Sequence, residues 1–188
     1  MDRDYRLKLL GQRGFTVWFT GLPASGKSTT AFTLEHALVS MHKLAYVLDG
    51  DNIRHGLNKD LTFTVEDREE NIRRIGEVAK LFADAGVMVL TSFISPYRKD
   101  RAWVRSIHEE AGLDFIEAYI EAPVRICAER DPKKLYEKAF RGEIKGFTGV
   151  DDPYEAPENP EIVLDTSKLD PEQCLQKLLD YLQERGLL

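Results

Sequence analysis

The stretch Gly21-Leu22-Pro23-Ala24-Ser25-Gly26-Lys27-Ser28-Thr29 carries the spacing GxxxxGK followed by hydroxyl residues. Glycines at both ends let backbone N–H groups close around an anion, and a helix opening at Lys27 adds the partial positive charge of its N-terminus. A lysine in that frame reaches β- and γ-phosphates, and the Ser28 hydroxyl suits Mg²⁺. The pattern is a P-loop, provided that a strand precedes Gly21 and a helix follows. It specifies a nucleotide without specifying a reaction.

A metal at such a loop needs an organising acid. The apolar run Val87–Ser92 ends without one, whereas Ala45–Leu48 leads into Asp49-Gly50-Asp51-Asn52. Acids at the carboxyl end of a parallel strand lie on the edge where α/β sheets bind ligands. The turn allowed by Gly50 lets Asp51 point back at the P-loop, with helix capping as its plainer role. Arg54, Phe63, Arg68 and Asn71 follow. Arg68 precedes Ile72 by four residues and Ile75 by seven, so it shares the inward side of a helix, which suits ligand binding near a phosphate site. Glu70 with Arg74 and Arg73 with Glu77 read as solvated i,i+4 pairs. In Ser92-Phe93-Ile94-Ser95-Pro96-Tyr97-Arg98, Pro96 is expected to hold Ser95 extended at the carboxyl edge. Three roles are open to Ser95: a hydrogen bond to an acceptor, a covalent phosphate, or closure of a turn.

These residues need a scaffold, and the chain supplies alternating elements. Short apolar runs at Phe15–Thr20, Ala45–Leu48, Val87–Ser92, Phe115–Ile120 and Ile162–Leu164 read as strands. Helical stretches between them fit Lys27–Met41 (apolar side Phe32, Leu34, Ala37, Leu38), a helix capped by Thr64 with stripe Ile72, Ile75, Ala79 and Phe82 and stopped by Gly86, then Lys99–Ala111, Pro123–Arg130, Lys133–Arg141 and Pro171–Arg185. The expected fold is a three-layer α/β sheet of about five parallel strands with helices on both faces. From Gly142 to Pro160 the chain has three glycines, three prolines and little periodicity, yet carries Phe147 and Tyr154, which favours a mobile lid over a disordered linker.

The 188 residues are 43% hydrophobic and 31% charged, with net charge -6. That length suits one domain, 1–188, with an N-terminal extension over 1–14 and a lid region over about 131–160. The acidic balance argues against a broad nucleic-acid-binding face, so an anionic ligand must be met locally. No apolar run reaches membrane-spanning length, and the charged N-terminus is unlike a secretory signal, so a soluble cytoplasmic protein is expected. Cys127 and Cys174 lack metal-ligand spacing and read as reduced thiols.

Six blocks in order, GLPASGKST (21–29), DGDNIRHGLN (49–58), DREENIRR (67–74), FISPYR (93–98), DPKKLYEKAFRGEIKGFTG (131–149) and DPYEAPENPEI (152–162), resemble adenylylsulfate kinase (APS kinase), a domain also found in bifunctional 3′-phosphoadenylyl-sulfate synthases. The resemblance implies a P-loop kinase fold and transfer of the γ-phosphoryl of MgATP to the 3′-hydroxyl of adenylyl sulfate. It implies that Gly21 and Ala24 to Thr29 hold the ATP phosphates and that Arg130 aids charge neutralisation. Thr166 to Leu169 would line the ATP base, and Asp51 would coordinate Mg²⁺ near the attacking hydroxyl. Asp51, Asn52, Arg54, Arg68 and Asn71 would contact the acceptor. Phe63 and Phe147 would sandwich its adenine, with Ile94, Ser95, Lys133 and Gly146 completing that site. The family's serine at Ser95 has been described as a phosphoserine intermediate, although direct transfer needs no covalent step. Pro23 stands where the family often has Ser, and Lys134 where Gly is frequent. Many members are dimers, which implies a homodimer, with the helix around Leu7–Leu10 free to meet a partner. ATP sulfurylase is the functional or fused partner implied. The P-loop alone also fits another small-molecule or nucleotide kinase, or a nucleotide-dependent switch.

Overall fold

The computed structural model describes residues 3–188, the side chain of Asp51 excepted, so the geometry expected of that carboxylate lies outside the described residues. Five strands, β1 Phe15–Thr20, β2 Ala45–Asp49, β3 Met88–Ser92, β4 Phe115–Glu121 and β5 Ile162–Asp165, form one parallel sheet in the order β2-β3-β1-β4-β5. Each agrees with its expected run to within a residue. The central strand β1 is buried along its whole length because neighbours and helices cover both its faces.

Alternation along β1 sorts the core into two layers. Phe15, Val17 and Phe19 face helices α2 (Lys27–Ser40) and α8 (Pro171–Glu184), meeting Leu34, Leu38, Leu178 and Leu182. Trp18 faces the other way, into Ile72, Ile75 and Ala79 of α4 (Val65–Asp84) and Val104 of α5 (Arg98–Glu110). A side chain at Gly76 would come within 2.9 Å of Val104, so glycine sets how closely α4 and α5 approach. Thr64 caps α4 by accepting from the Asp67 amide at 3.2 Å, and Gly86 ends that segment in the left-handed region.

Three expectations about faces are corrected. Phe32 is exposed, because the buried stripe of α2 runs through Lys27, Thr30, Ala31, Leu34 and Leu38, and Phe32 lies one helical step off it. Phe82 is only half-buried and stacks edge-on to Tyr46 of the edge strand β2. Arg73 pairs with Glu70 three residues back at 2.6 Å, leaving Glu77 to Lys80. Glu70 still meets Arg74 at 2.8 Å.

Four shorter helices complete the chain order: α1 Arg3–Leu10, α3 Gly50–His55, α6 Val124–Arg130 and α7 Leu135–Phe140. Arg3 and Arg6 of α1 both grip Asp84 at the end of α4. Asp131 caps α7, accepting from the amides of Leu135 at 2.8 Å and Tyr136 at 2.9 Å. Lys134, between them, is held at φ 53°, ψ 35°. From 142 to 160 the backbone is irregular apart from one bridge between Thr148 and Asp152. Cys127 and Cys174 are buried free thiols, and no helix among the described residues is long and apolar enough to cross a membrane.

Candidate active site

The P-loop joins β1 to α2, as its chemistry requires. Gly21 adopts φ 153° and a Cβ there would lie 2.4 Å from the Ile120 carbonyl oxygen, so only glycine fits beside β4. Gly26 precedes α2 at φ 104°, and Ala24 is also left-handed, at φ 58°. These turns wrap the loop around the α2 N-terminus. Inside it the Ser25 hydroxyl is buried with no hydrogen-bond partner, a polar group that a phosphate oxygen would satisfy. Lys27 is buried and its Nζ donates to the Leu22 carbonyl at 2.7 Å. Burial pushes its ammonium down to about 8, against the opposing fields of Cys127 and Asp49; an anion alongside would favour the charged form. Thr29 is exposed on the first turn of α2.

A cavity of about 700 Å³ opens on the outer side of this loop, lined by Gly26, Thr29, Arg130 and Leu169 among others. Arg130 is tied down there: it donates to Thr166 Oγ1 at 3.0 Å and to the Thr166 carbonyl at 2.6 Å, with a longer bond to the Ser25 carbonyl. It braces the P-loop against the segment after β5.

Among the described side chains, the acid that meets the P-loop is Asp49. As the last residue of β2 it is in register with Ser92 of β3, and Ser28 Oγ donates to its Oδ2 at 2.6 Å. Ser92 lies 3.0 Å from the same Ser28 oxygen. A hydroxyl beside a carboxylate is a hard-oxygen pair that fits Mg²⁺, an ion that takes one or two protein oxygens and completes its shell with phosphates and water. The described residues hold no cluster of three acidic, His or Cys side chains that would bind an ion unaided. Sequence reasoning passed over Asp49 for Asp51; its position as the strand's last residue was the available signal.

A second cavity, of about 490 Å³, opens on the other side of Lys27 and Ser28. Arg54, Phe63, Arg68, Asn71, Ile94, Ser95, Lys133, Gly146 and Phe147 all line it, from four separate stretches of chain. Asn52 does not; it is exposed on α3. The Arg54 guanidinium lies 4.4 Å from the Phe63 ring centre, and its pKa is lowered by burial and by the neighbouring charge of Arg68. Arg68 donates to the Asp152 carboxylate and to the Gly146 carbonyl, tying α4 to the segment after α7. Phe147 packs edge-on against Tyr136, 4.9 Å between ring centres, and the Tyr136 hydroxyl donates to the Pro23 carbonyl at 3.0 Å. Pro23 lacks a donor but retains an acceptor that α7 uses.

Ser95 departs from the expected extended backbone. Its φ is +41°, with Pro96 following in a trans peptide. Pro96 disfavours the right-handed helical region for Ser95, and the surroundings fix the left-handed alternative. Trp18 Nε1 donates to Ser95 Oγ at 3.1 Å, and Arg101 Nη1 to the Ser95 carbonyl at 2.5 Å. Arg101 is itself buried against Glu117. Nothing in the local sequence announced these three supports, which come from β1, α5 and β4.

The two cavities meet at Pro23, Lys27, Ser28, Lys133 and Leu135, so two ligands would touch where the P-loop lysine and hydroxyl lie. Comparison with known proteins agrees with that architecture. The family model for adenylylsulphate kinase matches residues 13–165. The adenylyl-sulfate kinase of Clostridium kluyveri is 56% identical over 182 residues, 97% of this chain and 90% of its own. The structure of the Mycobacterium tuberculosis APS kinase in complex with AMPPNP and APS superposes with a TM-score of 0.88 at 49% identity, covering 92% of this chain and 99% of that one. A hexameric APS kinase from Thiobacillus denitrificans superposes at 0.70 with 33% identity, over 94% of this chain and 30% of that one. On this match of sequence, fold and paired cavities, the chain belongs to the adenylylsulfate kinase family.

Proposed function

We propose that the outer cavity holds the nucleoside of ATP and the inner one adenylyl sulfate, and that the chain transfers the γ-phosphoryl to the acceptor 3′-hydroxyl, giving 3′-phosphoadenylyl sulfate and ADP. The observation that carries this reading is the meeting of two nucleotide-sized cavities at Lys27 and Ser28. Both lie within the several-hundred-Å³ range of small-molecule sites. The relative solved with AMPPNP and APS together supports the same two-ligand arrangement.

Phosphoryl transfer through a loose transition state needs alignment and charge neutralisation more than covalent chemistry. The P-loop amides and Lys27 supply fixed positive charge to the transferring group, aided by the Ser25 hydroxyl. Ser28 and Asp49 are the oxygens that would hold Mg²⁺, with Asp51 as the second acid of the same turn; the ion neutralises β- and γ-oxygen charge when bound. Asp51 orients the attacking hydroxyl. Arg54, Arg68 and Asn71 receive the acceptor's anionic end, and Phe63 and Phe147 flank its base. Ser95 acts by hydrogen bonding: its Oγ accepts from the Trp18 indole, which makes it a poorer nucleophile, so transfer is direct. Residues 131–160 form a lid that excludes water when both ligands are in place. The chain self-associates, as its hexameric relative does, with a homodimer as the smallest assembly.

A panel of acceptors assayed with MgATP tests the function. Adenylyl sulfate should exceed nucleosides and sugars by orders of magnitude; comparable turnover of another acceptor overturns the reading. Lys27→Ala, Asp49→Ala and Asp51→Ala should each lower kcat by about 100-fold or more, and near-normal turnover removes that residue from the machinery.

A further inference from the structure

Among the side chains lining the inner cavity, Arg54 and Arg68 can only donate hydrogen bonds and the Asp49 carboxylate can only accept them. Asn71 is different, because its amide can present either an oxygen or an N–H to a ligand. Asn58 decides between them. Asn58 Nδ2 donates to Asn71 Oδ1 at 3.0 Å, and both side chains are buried, 1% and 7% exposed. With its oxygen held from behind, Asn71 keeps Nδ2 for the cavity. We propose that Asn58 is a positioning residue of the acceptor site: it fixes the Asn71 amide so that Asn71, like Arg54 and Arg68, meets an anionic acceptor with N–H donors. The inference rests on reading this cavity as the adenylyl-sulfate site.

A second observation points the same way. Asn58 Oδ1 is buried with no hydrogen-bond partner. A buried amide with an orphaned oxygen is a poor choice for stability, since an apolar side chain would pack there without that penalty. The polar contact that its side chain does make goes to Asn71. The turn carrying Asn58 does not depend on its side chain: the Asn58 amide donates to the Ile53 carbonyl at 3.1 Å. Arg74 braces the same turn by donating to the Leu57 carbonyl at 3.1 Å and pairing with Asp60. Removing the side chain should therefore leave the backbone in place and free Asn71 to turn over.

The test is steady-state kinetics and thermal melting of Asn58→Leu and Asn58→Asp, each alone and in an Asn71→Ala background. Asn58→Leu should raise KM for adenylyl sulfate about tenfold, leave KM for ATP within about twofold, and not lower Tm. Asn58→Asp keeps the shape but can only accept, so Asn71 turns its N–H toward it and shows oxygen to the acceptor; KM should rise further. In the Asn71→Ala background neither change should matter, because Asn58 acts through Asn71. An unchanged KM in both single variants overturns the proposal, as does an effect that persists undiminished without Asn71. A wild-type enzyme inactive on adenylyl sulfate would instead refute the reading of the cavity. Should Asn58→Leu melt early, Asn58→Asp carries the decision.

Discussion

Replacing Arg101 by Met tests whether one buried cation holds the acceptor side of the cleft together. Arg101 is 2% exposed and uses its whole guanidinium: Nε donates to Glu117 Oε1 at 2.6 Å, Nη1 to the Ser95 carbonyl at 2.5 Å, and Nη2 to the Glu155 carbonyl at 2.6 Å. It thus joins α5 and β4 to the left-handed Ser95 turn and to the downstream end of the 142–160 segment. Removing one member of a buried pair strands the other, at about 3–5 kcal/mol. Two orphaned carbonyls add to this, while Arg105, 3.7 Å from Glu117 and already paired with Glu161, offers partial relief. A net loss of about 4 kcal/mol, at roughly 2–4 °C per kcal/mol for a chain of this size, lowers Tm by roughly 8–16 °C. Differential scanning calorimetry should be run beside Arg125→Met, whose pair with Glu129 is 75% and 57% exposed and should change Tm little. The double variant Arg101→Met, Glu117→Met should recover much of the loss, because the stranded carboxylate is gone. If Arg101→Met melts within 2 °C, roughly the Tm shift of a ~1 kcal/mol change, the buried network is not what fixes Ser95, and the reasoning fails.

Other perturbations separate other contributions. Lys134→Gly relieves a left-handed lysine at a cost of added freedom in the unfolded chain; a net gain of about 0.5–1 kcal/mol is expected, and a fall in the urea midpoint would contradict the strain. His108 is buried, its Nδ1 donating to the Val104 carbonyl at 2.8 Å and its Nε2 accepting from Thr16 at 3.0 Å. Burial holds its pKa below the usual 6.5, so as pH falls below 6.5 the unfolded chain takes up a proton that the fold refuses, and stability declines. His108→Gln should flatten that slope in urea melts at pH 7.5 and 5.5, and an unchanged slope would assign it elsewhere. Ser95→Ala should keep kcat within about tenfold, smaller than the ~100-fold expected for a catalytic group, and trap no labelled phosphoenzyme; retained label in the wild type that vanishes in the variant would establish a covalent step.

Sequence and structure agree where the signal is local. The five strands were legible because each is a short apolar run closed by Gly, Asp or Pro, and the P-loop because its glycines sit where φ must be positive. Arg68 was recognisable as inward-facing from its spacing to Ile72 and Ile75. Long-range partners were not legible. Trp18 beneath Ser95, Arg101 on the Glu155 carbonyl and Tyr136 on Pro23 join residues 77, 54 and 113 positions apart, and no periodicity encodes such pairings. That Asp49 stands beside Asp51 as a candidate was not legible for a related reason. Both fit a turn after a strand, and only the register of β2 beside β3 sets Asp49 against Ser28.

The charge distribution also acquires a physical account. Among the cations that this acidic chain keeps in its cleft, Lys27, Arg54 and Arg68 each rest on an internal partner of different strength. Lys27 lies on a neutral carbonyl with its charge disfavoured by burial, so a phosphate replacing that carbonyl gains nearly the full ion pair. Arg54 lies over the Phe63 ring, an interaction of about 0.5–1 kcal/mol at an exposed site, which an incoming base would displace cheaply. Arg68 already has the Asp152 carboxylate, and there an anionic acceptor gains only the difference between two ion pairs. Charge therefore favours the nucleotide side more strongly than the acceptor side. If the inner cavity is the acceptor site as proposed, selectivity there must come from what charge does not provide: the fit between Phe63 and Phe147, and the polarity proposed for Asn71.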